Sequence, residues 1–112
     1  MSSIFTKIIK REISADIVFE DDDIIAFNDI NPQAPTHLLI IPKKVIPKLS
    51  DANQEDQAIL GHLMLVAGKI SRQLELDDTF RLIVNNGAKA GQSVFHLHLH
   101  LMSGRVLNWP PG

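Results

Sequence analysis

The stretch His96-Leu97-His98-Leu99-His100-Leu101-Met102, HLHLHLM, decides how this chain can fold. Its strict alternation has the period of a β-strand, not of a helix. As a strand it sets His96, His98 and His100 on one face and Leu97, Leu99 and Leu101 on the other. The leucine face needs an apolar partner. The histidine face then looks into a cleft or solvent. Successive histidines stand ~6.7 Å apart at Cα, two strand rises. That spacing suits contacts to neighbouring atoms of one substrate group.

The apolar partner lies upstream. Ile59, Leu63, Val66, Ile70 and Leu74 recur at helical spacing, with Glu55, Asp56, Lys69 and Arg72 turned away. Ser50 and Asp51 are read as the opening of this one long helix, over residues 51–75. The other elements follow outward. Ser3 can cap a short helix carrying Ile4, Phe5, Ile8 and Ile9. Ile17–Glu20 and Ile24–Asn28 read as a hairpin around the acidic turn Asp21-Asp22-Asp23. His37–Ile41 is too continuously apolar for a half-exposed strand, so it is placed centrally in the sheet, ended by Pro42. Phe80–Val84 is a fourth strand and Ser93–Met102 the fifth. The expected fold is α+β: a five-stranded antiparallel sheet with one long helix and a short N-terminal helix. Residues 1–112 are expected to form one domain with a tail at 103–112.

Composition narrows the function. A formal charge of −2 provides no basic field for a nucleic-acid backbone. The chain has no cysteine, which removes disulfides, thiolate zinc sites and cysteine nucleophiles. The N-terminal apolar stretch is broken by Lys7, Lys10 and Arg11, unlike a signal peptide. No apolar run approaches the ~20 residues that span a bilayer. A cytoplasmic protein with no membrane or nucleic-acid partner is expected by default.

Chemistry for the histidine row has three readings. The plainest is a solvated polar face. The second is a metal site, with two alternate histidines converging on zinc and His37 joining from another strand. The row is collinear, however, and contains no carboxylate to tune a ligand. The third is covalent catalysis on phosphorus. Neutral imidazole is a competent nucleophile near neutrality. One histidine attacks, a neighbour donates to the phosphate oxygens, and a hydroxyl or imidazole protonates the leaving atom. Upstream, Gly91 permits close backbone approach to an anion, and Ser93 supplies the hydroxyl.

HLHLHLM has the form of the histidine-triad signature. Together with GQSVFHLHLH, DINPQAPTHLLIIPKK and the ending NWPPG, it makes the chain resemble the Hint branch of the histidine-triad (HIT) superfamily over essentially its whole length. The resemblance implies a metal-independent purine nucleoside phosphoramidase, needing no cofactor, that cleaves P–N bonds of AMP or GMP conjugates, aminoacyl adenylates included. It implies His98 as the nucleophile that becomes nucleotidyl-histidine, and His100 as the phosphate contact. His96 would orient His98, with His37 behind it, and Ser93 would sit near the leaving nitrogen. Asn85, Gly91 and Gln92 would line the phosphate and ribose region.

Phe27, Asn28, Asp29 and Ile30 match the family's ribose and base site, with Ile13 as a further apolar wall. The physical chemistry agrees, since one carboxylate can accept from both ribose hydroxyls. Asp29 also has a plainer reading, as a turn former before Asn31-Pro32. The resemblance implies a homodimer in which Trp109 reaches the partner subunit's site. His62 falls beside the helix stripe and reads as solvated surface. Ser103 and the loop Asn86-Gly87-Ala88-Lys89 depart from the usual pattern, and Asn28 falls where the family varies. Two alternatives stay open: a dinucleoside polyphosphate hydrolase with the same triad, and a nucleotide-binding interaction module whose turnover is incidental.

Overall fold

A computed structural model describes residues 3–112. The elements in chain order are α1 (Ile4–Ile9), β1 (Ile17–Glu20), β2 (Ile24–Asn28), β3 (Thr36–Pro42), α2 (Gln57–Gln73), β4 (Arg81–Ile83) and β5 (Leu99–Ser103). The five strands form one antiparallel sheet in the order β1-β2-β3-β5-β4. The α+β architecture is the one the alternation and periodicity predict.

β3 is central, and its continuous apolar run has a physical cause. Both faces of the sheet are covered. Leu38 and Ile40 point to one side, where Leu99 and Leu101 of β5 and Ile24 and Ala26 of β2 meet Leu63, Val66, Ala67 and Ile70 of α2. Leu39 and Ile41 point to the other side and join Ile25, Phe27, Phe5 and Ile8. The second face therefore carries a core of its own beneath α1, where the sequence suggests an open cleft or solvent. Ser3 caps α1 as expected, its hydroxyl accepting from the Thr6 N–H.

The long helix starts later than expected, at Gln57 rather than at residue 51. Leu49–Asp51 forms a separate 3-10 turn, and Ala52 is extended. Asn53 caps a second 3-10 turn, Gln54–Asp56, that leads into the helix: its side chain accepts from Glu55 N–H, and Asp56 reaches back to the Asn53 N–H. Asp56 does not face solvent; it is buried and held by Lys44. Leu74 lies just past the helix and is exposed. His62 is not simply solvated. Its Nε2 lies 2.7 Å from Asp21 Oδ2 and ties α2 to the β1–β2 turn.

The fourth and fifth strands are shorter than predicted, and Pro42 explains the fifth. It closes β3 opposite Ile24, but it has no N–H to offer β5. The β3–β5 ladder runs only as far as Ile40 opposite Leu99. Residues 96–98 run on outside the ladder, with the Leu97 N–H on the Ile46 carbonyl at 2.7 Å. At the other end of β5 the chain turns sharply at Gly104. Its φ is +94°, and an added Cβ would lie 2.8 Å from Pro35 Cβ, so only glycine fits. The tail is pinned by Arg81, whose guanidinium donates to the Leu107 and Asn108 carbonyls. Trp109 is 81% exposed. Among the described residues no helix is long and apolar enough to cross a membrane.

Candidate active site

Four imidazoles lie near one another on the α1 face of the sheet. The ring centroids of His98 and His100 are 5.1 Å apart, and those of His37 and His100 5.2 Å. His37 and His100 are diagonal neighbours across β3 and β5, since His37 faces Met102 and His100 faces Leu39. Phe5 closes the floor, edge-on to His98 at 5.0 Å and to His96 at 6.2 Å. His96 and His98 are buried although they precede β5.

Main-chain partners decide where each ring carries its proton. The Pro42 carbonyl accepts from His96 Nε2 at 2.6 Å. The His96 carbonyl accepts from His98 Nδ1 at 2.7 Å. His98 Nε2 is therefore left with a lone pair. The Gln33 N–H donates to His37 Nδ1 at 3.0 Å, so the His37 proton sits on Nε2. That Nε2 lies 2.9 Å from His100 Nδ1, which must accept. His100 is then protonated on Nε2. The adjacent rings thus have opposite characters: His98 offers a nucleophilic lone pair, and His100 offers a donor.

Two expectations are corrected here. His37 stands behind His100, not behind His96. His96 does orient His98, but through its backbone carbonyl; its own ring is held by Pro42, and its Nδ1 has no partner among the described residues.

Burial holds the row neutral. It lowers the proton affinity of His96 and of His98 below the ordinary histidine value. His100 is held down to about 4, by burial first and then by the nearby His98 and His37. An unfolded histidine takes a proton near pH ~6.5 that the folded chain refuses. Stability is therefore full above about pH 6.5 and falls as pH drops towards about 4. Glu20, lowered chiefly by its hydrogen bond from Lys43, adds losses only at lower pH. Urea midpoints are expected to fall between about pH 7 and about pH 5. An unchanged midpoint would mean that the rings accept protons freely.

The loop before the row is built on glycine. Gly87 and Gly91 have φ of +94° and +103°. Gly91 packs against the half-buried Asn85, whose Nδ2 would lie 3.4 Å from an added Cβ. Gln92 does not line the cleft as expected. It is 3% exposed, and its amide braces the loop, accepting from Gly87 N–H and donating to the Pro47 and Val94 carbonyls. Ser93 is exposed in the loop, well ahead of the strand it was expected to open.

Asp29 forms the turn of its plainer reading. Its Oδ1 accepts from Asn31 N–H as a turn former, while Oδ2 lies 3.5 Å from His37 Nε2. Ile30 and Ile13 are exposed, at 98% and 37%. Phe27 is core rather than wall: it is 4% exposed and packs on Phe5 at 5.6 Å. Asn28 spends its amide on Asp16 Oδ2.

Asp29, His37 and His100 offer ligand atoms within 4.8 Å of one another, so a carboxylate does approach the row from another segment. The donor chemistry does not suit a metal. With Gln33 N–H on its Nδ1, His37 has no lone pair at Nε2 unless that bond breaks or the ring becomes an anion. Two shallow hollows of 580 and 410 Å³ lie along the start of α2, and neither includes a histidine of the row.

A neutral imidazole with a lone pair at Nε2 thus stands beside an imidazole that donates from Nε2. Comparison with known proteins agrees with the signature. The HIT domain family matches residues 10–107, and the chain belongs to that family. A HIT-like protein of Synechocystis sp. is 59% identical over 98% of this chain and 96% of its own length. A protein of Zea mays named as a 14 kDa zinc-binding protein is 49% identical over 98% of this chain and 88% of its own. A HIT family hydrolase from Legionella pneumophila superposes with a TM-score of 0.96 at 47% identity, covering 99% of this chain and 100% of that one. A histidine triad nucleotide-binding protein from Candida albicans gives 0.83 at 34%, over 97% and 83%.

Proposed function

We propose that this protein is a purine nucleoside phosphoramidase of the Hint branch. The opposed protonation of His98 and His100 carries the reading. His98 Nε2 attacks phosphorus, and the P–N electron pair departs on nitrogen. The leaving amine takes a proton from solvent, relayed by the Ser93 hydroxyl. Water then displaces the histidine from phosphorus, releasing the nucleotide and a proton. His100 Nε2–H donates to a non-bridging oxygen throughout, where negative charge must be held. His98 starts neutral because it is buried, so no proton has to be removed before attack.

Asp29 Oδ2 takes the ribose hydroxyls, and the exposed Ile30 and Ile13 flank the base. Gly91 and Asn85 sit on the phosphate side. The names of the Legionella and Candida structures, a hydrolase and a nucleotide-binding protein, support the same class. The maize name raises zinc. The His37 donor set speaks against it. A homodimer is supported by the exposed Gly61, Met64 and Leu65 on α2. Such a dimer would give the exposed Trp109 a partner surface.

The deciding experiment compares turnover of an AMP amide, a GMP amide, an aminoacyl adenylate and a diadenosine polyphosphate. The amides and the adenylate are expected to turn over at least ~10²-fold faster than the polyphosphate, the scale of a matched leaving-group proton donor. A faster polyphosphate reaction would move the chain to the dinucleoside polyphosphate hydrolases. Negligible turnover of all four, with nucleotide still bound, would leave a binding module.

A further inference from the structure

The proton on His37 Nε2 has two acceptors in reach. His100 Nδ1 lies at 2.9 Å and Asp29 Oδ2 at 3.5 Å. The other side of the ring is fixed by the Gln33 N–H, so the proton cannot retreat to Nδ1. Asp29 is fixed as well. Its Oδ1 accepts from Asn31 N–H at 2.9 Å, and its own N–H donates to the His37 carbonyl at 2.9 Å. Oδ2 is left facing the shared proton. The Asp29 side chain is 18% exposed and that of His37 only 4%, so a ligand meets the carboxylate and not the ring.

A carboxylate is a stronger acceptor than a neutral imidazole. With nothing else bound to it, Oδ2 competes at 3.5 Å for the proton that the 2.9 Å contact gives to His100. Whenever Oδ2 takes it, His100 loses the donor that selects its Nε2–H form. In the other form it would aim a lone pair at the phosphate oxygens, which repels them. Hydroxyls donating to Asp29 end that competition and keep the proton on His100 Nδ1.

We propose that Asp29, His37 and His100 couple sugar recognition to phosphate contact: a ribose cis-diol seated on Asp29 locks His100 as the Nε2–H donor through His37. The proposal rests on the nucleotide reading above, in which Asp29 takes the ribose hydroxyls. His37 is a positioning residue in it, and the diol is read in the rate as well as in affinity.

The test uses AMP amide and its 2′,3′-dideoxy counterpart, with single-turnover rate and KM measured separately. In the wild-type protein the dideoxy substrate is expected to raise KM and to slow the single-turnover rate on the order of tenfold, the scale of one hydrogen bond. In His37→Phe the rate penalty disappears while the KM penalty stays. His37→Gln, whose amide can still donate to His100, restores part of it. A dideoxy substrate that raises KM alone in wild type overturns the coupling and leaves the nucleotide reading intact. One that changes neither quantity overturns both. Nitrogen-15 shifts of the His100 ring in wild-type protein give an independent readout should a variant not fold. AMP is expected to raise the fraction of the ring in the Nε2–H form and dideoxy-AMP not to. The same pattern with both nucleotides overturns the proposal.

Discussion

Replacing His98 with asparagine (His98→Asn) is expected to reduce phosphoramidate turnover by ~10³-fold or more while purine nucleotide still binds. The size follows from the position of the ring. His98 is the one member of the row whose Nε2 carries a lone pair and faces no partner among the described residues. His100 donates from the corresponding nitrogen, and His96 is turned onto Pro42. Neither can take over the attack. The asparagine amide can still donate to the His96 carbonyl, so the local chain keeps its anchor. Steady-state rates and nucleotide titration on the same preparation check both halves. Mass spectrometry of the wild-type reaction should find one nucleotide monophosphate on the peptide carrying His98. Near wild-type turnover in the variant would remove His98 from the mechanism.

Phe5→Ala is expected to cost ~3–5 kcal/mol of stability, the usual toll for emptying a buried aromatic site. Phe5 is 5% exposed and touches Phe27, His96 and His98. α1 has six residues, with only Phe5 and Ile8 buried. So short a helix does not hold itself and depends on this packing. The second core beneath it would open, and water would reach His98. kcat/KM should therefore fall together with the urea midpoint, and nucleophile burial should loosen before the α2 core does. A loss below ~1 kcal/mol would show that α1 is held by other contacts.

What the sequence shows clearly is what a local period can show. The alternation at 96–102 marks the two faces, and the apolar run at 38–41 marks the doubly covered strand. The capping pattern Asn53-to-Asp56 is visible in hindsight, but Ser50 and Asp51 present an equally good opening. What failed to show depends on distant pairs. His37 meets His100 because β3 and β5 lie in one register, which no spacing along the chain reveals. His62 meets Asp21 for a similar reason, across a helix and a turn. Gln92 lies beside Ser93 and shared its expected place at the cleft, yet its amide turns inward to Pro47. The early end of the β3–β5 ladder is the exception. Proline cannot donate, and Pro42 stands in plain view.

The protons of this site are assigned by the carbonyls of Pro42 and His96 and the amide of Gln33. Side-chain replacement at those positions leaves such anchors standing, proline at Gln33 excepted, because every amino acid carries the same main chain. The surroundings, such as the exposed loop at Lys89, are chemically insulated from the protonation map. Leaving-group preference could then be redesigned in that loop without rebuilding the nucleophile. Conversely, damage to the chemistry would come from backbone displacement. One route is Arg105, whose Nε donates to the Gln33 carbonyl and braces the peptide run that sets His37.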